Sequence, residues 1–272
     1  MWPLLAGLAL LAVQFPIAGW RWRMVLRAGG AEVSPWLLQN LVWVGQFVNQ
    51  VMPTFLAGDA LRGWYLTRAN ISARQALSSL VLDRAVGFVG LLLLILLLSP
   101  LTLSQFGGGI GWPIIGTAAA GWAAGALGFI GCKLLLQTKR LSRWPRIEAV
   151  AKDACESAAK VSRSPLIVLL AVVTNVIASI AAYLVALSLG IGLSIVEALT
   201  LIPVALFAVL IPISVAGWGV REGVLVFLLG LVGIPGSHGL SLSVVYGIIT
   251  VIAALPGGLI WLTWREQTEQ DI

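Results

Sequence analysis

The stretch Ile211-Pro212-Ile213-Ser214-Val215-Ala216-Gly217-Trp218-Gly219-Val220-Arg221-Glu222 interrupts a long apolar run, and its reading decides the fold. Proline removes a backbone donor and clashes with the preceding turn, while glycine tolerates strained backbone. Arg221 and Glu222 follow the break directly, and the chain then turns apolar again. In hydrocarbon, broken backbone persists only where protein buries it or where it lines a watery cavity. An ionisable pair at such a break is a candidate functional site.

A related stretch lies earlier, at Met52-Pro53-Thr54-Phe55-Leu56-Ala57-Gly58-Asp59-Ala60-Leu61-Arg62. Both copies read Pro, four residues, Gly, three residues, Arg, and each follows an apolar run that opens at a serine, Ser34 or Ser194. Ile71…Leu77-Ser78 and Ile234…Leu240-Ser241 then recur with equal internal spacing. Weak internal symmetry of this kind is a mark of transporter repeats.

Composition sets the solvent. Of 272 residues, 59% are hydrophobic and only 10% charged, and the mean hydropathy is +0.99. A water-soluble domain of this size covers its surface with charge, so a polytopic membrane protein is expected. No cleaved leader is expected, because no basic segment precedes the first apolar run. Cys132 and Cys155 lack metal-ligand spacing and His238 is the single histidine, so neither a metal site nor a cofactor is expected.

The expected spans cover residues 2–20, 77–98, 112–136, 165–189 and 241–264, each near the roughly 20 residues a bilayer core requires. Trp20-Arg21-Trp22-Arg23 reads as the interfacial end of the first span. Ser34-Pro35 starts the next helix. Near that helix's far end, Gln46 shares a face with Asn49 and Gln50 and could line a cavity or hydrogen-bond between helices. Asp59 and Arg62 sit three apart on a short helix. Asp83 and Arg84 lie within a span and should meet partners elsewhere, with Asp59 and Arg62 as candidates. The Gly-rich 99–111 segment reads as an uncharged loop, and 231–240 as a Gly/Pro/Ser loop holding His238. Residues 137–164 carry Lys139, Arg140, Arg143, Arg146, Lys152, Lys160 and Arg163. Apolar residues there recur at helical spacing, so a surface helix on an anionic leaflet is expected. Interleaved stacking aromatics are missing from it, so nucleic acid is not an expected partner despite the net charge of +6.

Topology follows from charge. If both broken segments enter and leave on one side, nearly all Lys and Arg residues fall on a single face, apart from Arg84 and Arg221. That face is then cytoplasmic and holds the 137–164 loop and the C-terminus. The expected fold is thus all-α, a polytopic integral membrane protein with two inverted repeats, each carrying a re-entrant broken-helix hairpin. Residues 1–272 form a single membrane domain: repeat one at about 1–98, a connecting span and basic loop at about 99–164, and repeat two at about 165–264.

The ordered pattern Arg21-Trp22-Arg23, Asn49…Met52-Pro53…Gly58-Asp59…Arg62, Leu82-Asp83-Arg84 and Pro212…Gly217…Gly219…Arg221-Glu222 resembles the lysylphosphatidylglycerol synthase transmembrane-region family. This is the flippase-like membrane domain of the multiple peptide resistance factor and its stand-alone relatives. The resemblance implies an inner-membrane protein that moves a lipid between leaflets; in the fused members that lipid is aminoacylated phosphatidylglycerol. It also implies a helix ahead of the Arg-Trp-Arg stretch beyond the one present here. No soluble aminoacyl-transfer domain follows residue 264, so lipid aminoacylation is not expected of this chain.

On this reading Arg62 and Arg221 bind phosphate, arginine being the better bidentate donor. Asp59 and Glu222 neutralise those arginines or bind a cationic aminoacyl group, and Asp83 with Arg84 completes the network alongside Asn49 and Gln46. The expected ligand is an anionic, aminoacylated or glycosylated phospholipid or a polyprenyl-linked lipid, and self-association is left open. Two other readings compete. The charges could only hold the hairpins together, or the protein could be a non-transporting subunit that assists a lipid-modifying or glycosyl-transferring enzyme. An enzyme acting on lipid phosphate is not expected, since clustered nucleophiles, a histidine base and a carboxylate metal site are lacking.

Overall fold

A computed structural model describes residues 1–52, 56–138, 143–209 and 219–270. Every regular element among them is helical: α1 (Trp2–Ala28), α2 (Pro35–Val51), α3 (Ala57–Arg68), α4 (Ala73–Leu97), α5 (Ser99–Gln137), α6 (Pro145–Val161), α7 (Pro165–Ser188), α8 (Ile195–Val209), α9 (Val220–Leu231) and α10 (Gly236–Gln270). The proline and glycine breaks at Pro53 and across 210–218 lie outside the described residues, as do Lys139 and Arg140.

Five helices are long and apolar enough to cross a membrane: α1, α4, α5, α7 and the Gly236–Trp264 part of α10. These are the five expected spans. The boundaries differ in three places. Residues 99–111 are not a loop: Pro100 sits in the first turn of α5, which runs from Ser99 to Gln137. Its one interruption is Gly107, at φ 66° and ψ −179°, a backbone open chiefly to glycine. His238 is not in a loop either, because α10 starts at Gly236 and the His238 amide donates to the Pro235 carbonyl. Third, α1 does not end at its tryptophans but continues to Ala28.

The helix starts are encoded locally. The Ser72 hydroxyl accepts from the Gln75 amide at the head of α4. At α8, the Ser194 hydroxyl accepts from the Glu197 amide while the Glu197 carboxylate accepts from the Ser194 amide, a reciprocal capping box. The order of long helix, two short helices and long helix occurs twice, in α1–α4 and in α7–α10. Cap geometry repeats with it. After α3, Asn70 takes φ 62° and the Ile71 amide donates to the Leu66 carbonyl; after α9, Gly233 takes φ 79° and the Ile234 amide donates to Leu229. Both are six-to-one closures of a helix C-terminus.

The core lies where the two series meet. Leu11, Trp22, Leu41, Leu66, Leu201, Leu229 and Leu242 are fully buried there. α1 runs along α7, and α2 along α10. α6 is the amphipathic surface helix expected. Arg74 reaches Asp153 at 2.7 Å and the Ser78 hydroxyl donates to the Val150 carbonyl, fastening it to α4. Trp144 and Ile147 stay exposed at its head.

Candidate functional site

Where α1, α2, α4, α7 and α10 converge, they leave a cavity of about 360 Å³. Its polar wall is set by helical spacing. Gln14 and Arg21 lie two turns apart on one face of α1, Gln46 and Asn49 share a face of α2, and Asp83 and Arg84 come from mid-α4. α3 adds Arg62, α7 adds Thr174 and Asn175, and α10 adds Tyr246 and Thr250.

Ion pairs organise that wall. Arg21 Nε meets Asp83 Oδ1 at 2.9 Å. Asp59 sits behind the cavity and takes two cations, Arg84 Nε at 2.6 Å and Arg62 Nη1 at 3.3 Å. Of the expected partners, Asp59 therefore pairs with Arg84 as anticipated, whereas Asp83 pairs with Arg21. Arg62 also donates from Nε to the Leu41 carbonyl and lies over the Trp22 ring at 5.0 Å. Gly45 makes its seat: a Cβ there would stand 2.6 Å from Arg62 Nε. Asn49 has a second duty, because its Oδ1 accepts from the Gly58 amide and closes the start of α3.

Three guanidinium groups face two carboxylates in this set, one net positive charge. Arg21, Arg62, Asp59 and Asp83 are all buried, with 8% or less of each exposed. These four balance to zero, so the net positive charge of the set is that of Arg84, whose side chain is 42% exposed on the cavity lining and open to an anionic ligand.

Arg21 is the charged residue that sequence reasoning missed, and Gln14, Thr174, Asn175, Tyr246 and Thr250 are uncharged ones. Trp20-Arg21-Trp22-Arg23 reads as an interfacial anchor, yet Trp22 is wholly buried and its indole N–H donates to Ser79. α1 continues past them, and Arg21 and Trp22 turn inward onto α4 while Trp20 stays half exposed. Gln14 and Arg21, seven residues apart on an apolar helix, were the available signal.

Arg221 and Glu222 form a second cluster. Neighbours on a helix do not ordinarily face each other, but Ser243 of α10 holds both. Arg221 Nε donates to Ser243 Oγ at 2.9 Å, Ser243 donates to Glu222 Oε1 at 2.9 Å, and Arg221 Nη2 meets Glu222 Oε1 at 3.2 Å. The Glu222 carboxylate also accepts from the Gly219 amide at the head of α9. Arg221 borders a tight apolar space shared with Tyr246, whose other side lines the main cavity. The structure thus gathers Gln46, Asn49, Arg62, Asp83 and Arg84 at one cavity with Asp59 behind. Arg221 and Glu222 stand beyond Tyr246.

The two arginines are also not equivalent by position. α3 and α9 have 12 residues each and matching C-terminal closures. Superposing those frames sets Asp59 against Glu222, both in a first turn, and Arg62 against Leu225, one turn beyond Arg221. The proline and glycine spacing in the sequence aligns the arginines; the helices align the carboxylates.

Cys132 of α5 and Cys155 of α6 approach to 3.6 Å between sulfurs. No grouping of three or more His, Cys, Asp or Glu suited to a metal occurs among the described residues.

These features define a multi-pass helical membrane protein with an open, ion-paired cavity between its helices. The chain belongs to the lysylphosphatidylglycerol synthase transmembrane-region family, whose model matches residues 1–258 of its 272. No curated protein and no solved structure matches it. It is therefore a membrane protein of a lipid-related family.

Proposed function

We propose that the protein is a flippase that moves an anionic, aminoacylated or glycosylated lipid between the leaflets of the cytoplasmic membrane. The observation that carries this reading is the cavity itself: an open chamber with a charged, net-positive wall, set between helices whose other faces are apolar. A lipid headgroup crossing hydrocarbon needs such a shelter, because an unpaired charge there is costly. Arg62, Arg84 and Arg21 hold the phosphate. Asp83 and Asp59 keep the arginines spread and neutralise them between cycles, and Gln46 and Asn49 solvate the rest of the headgroup.

In this reading α2–α3 and α8–α9, each too short to cross a bilayer alone, are re-entrant hairpins dipping in from opposite faces. The side bearing α6 and the C-terminus is cytoplasmic, by the excess of Lys and Arg there. Arg221 and Glu222 serve the half of the cycle in which Tyr246 gives way.

The test is flipping by the purified protein in liposomes containing acyl-labelled phosphatidylglycerol, followed by surface quenching. Movement by the wild type and its loss in Arg62→Ala support the reading. Wild-type vesicles without lipid movement would favour a subunit that assists a lipid-modifying or glycosyl-transferring enzyme. One observation favours that second reading, the exposed Trp144 and Ile147 on basic α6, a face suited to a partner.

A further inference from the structure

The main cavity has two walls of opposed chemistry. On α4, Arg84, Gly87, Phe88 and Leu91 follow one helical face, so the lining passes from charged to apolar within two turns, about 10 Å. Leu206 of α8 continues the apolar side. A soluble anion has no use for that wall; the hydrocarbon next to a lipid headgroup does. The volume, about 360 Å³, is near the lower end for a drug-sized ligand, so it admits a headgroup and the first carbons but not whole chains. The chains must leave between two helices.

Three seams around the cavity are closed by backbone. A Cβ on Gly7 would stand 3.3 Å from the Ala181 carbonyl, which fixes α1 on α7. One on Gly90 would stand 2.5 Å from Ala171 Cβ and 2.7 Å from its carbonyl carbon, which fixes α4 on α7. One on Gly257 would collide with the Trp43 carbonyl, which fixes α10 on α2. Helices that touch through their main chains leave no path for a chain. The α4–α8 seam is different. It is closed by side chains, Phe88 stacked on Phe207 with ring centroids 5.4 Å apart and planes 30° apart. Both rings are half-buried, and rotamer changes suffice to part them. Outside them lies α5, where a Cβ on Gly121 would stand 3.1 Å from Leu92 and 3.4 Å from Phe207. Further along α5, Gly125, Gly128 and Gly131 have nothing within 4 Å, so past Gly121 the glycine face of α5 meets no other helix, and the next contact is that of Cys132 with Cys155 of α6.

The geometry points to an acyl-chain subsite and exit between α4 and α8, walled by Phe88, Leu91 and Leu206, with Phe88 and Phe207 as its gate. The ligand's head rests among the arginines while its hydrocarbon leaves sideways past the paired rings and beneath α5. This inference rests on the lipid reading and adds the route of the chain and the two residues that control it.

The experiment uses the full chain with Cys132→Ser and Cys155→Ser, into which Phe88→Cys and Phe207→Cys are introduced together. A short, reducible dithiol-reactive cross-linker joins the two positions. Two probes are measured on the cross-linked and reduced forms: glycerol phosphate by calorimetry, and dioleoylphosphatidylglycerol with brominated chains by quenching of tryptophan fluorescence. The expected result is that cross-linking weakens the long-chain lipid about tenfold or more, that reduction restores it, and that glycerol phosphate changes by less than about twofold. Phe207→Ala alone should speed uptake of the long-chain probe, which keeps the test independent of the cross-link. If the cross-linked protein binds the brominated lipid as well as the reduced form does, while Arg62→Ala still abolishes binding, the chain leaves elsewhere and the gate is wrong. If neither probe responds to Arg62→Ala in any form, the lipid reading falls and the gate with it.

Discussion

Arg21 and Asp83 are each about one-tenth exposed at the side chain and meet at 2.9 Å. Removing one partner of such a pair strands a buried charge, at about 3–5 kcal/mol. Arg21→Ala should therefore lower the unfolding temperature in detergent markedly. Replacing the pair together, Arg21→Met with Asp83→Leu, should recover most of that stability yet still lose binding of phosphatidylglycerol. Full binding by the double variant would mean that these charges only hold helices together. Gly45→Ala probes the neighbouring seat. Its Cβ would displace the Arg62 side chain, so lipid affinity should fall while helical content measured by circular dichroism is kept. On α6, outside the spans, burial and then the Cys132 thiol push the Cys155 thiol up to about 11. At pH 7 it is the neutral thiol. Cys132→Ala takes away the second cause and leaves burial, so maleimide labelling of Cys155 in that background should still be slow at pH 7 and climb about tenfold per pH unit, levelling off at a lower pH than in the presence of Cys132.

The helices differ in how much of their fate is written locally. α8 carries its own capping box and α4 its serine cap, so their starts follow from a few adjacent residues. α5 is the opposite case. Its glycines suggest a loop, yet in an apolar environment an unpaired backbone is worse than a weak helix former, and the segment coils from Ser99 with one break at Gly107. α9 is held by a partner distant in sequence: Ser243→Ala removes the hydroxyl that joins Arg221 to Glu222 and should cost about 1–3 kcal/mol. Thermal unfolding followed by intrinsic fluorescence measures it. The same readout should register Gly257→Ala more strongly, because its Cβ meets main chain on α2, which cannot yield as a side-chain tip can.

For the whole molecule the open question is the relative direction of the two four-helix series, α1–α4 and α7–α10. Single cysteines in a cysteine-free background answer it. Inversion predicts that Asn70→Cys and Trp144→Cys react with an impermeant maleimide from one side of the membrane, and Gly192→Cys and Ser237→Cys from the other. Labelling of Asn70→Cys and Ser237→Cys from the same side would end the inverted arrangement and the opposed re-entrant hairpins proposed with it.

Sequence alone determined the membrane-spanning character, the five spans, the short helices between them and the surface helix, because hydropathy over about 20 residues and capping residues are local properties. It also marked Asp59, Arg62, Asp83 and Arg84, since charge within an apolar helix is conspicuous whatever surrounds it. Tertiary structure alone decided which charges meet. Arg21 stands 62 positions from Asp83, and Ser243 stands 21 from Glu222. Tyr246 separates the two clusters from a helix that carries neither arginine. Such pairings depend on how helices are rotated and shifted against one another, and that is fixed by packing summed over the whole bundle rather than by any one stretch of chain.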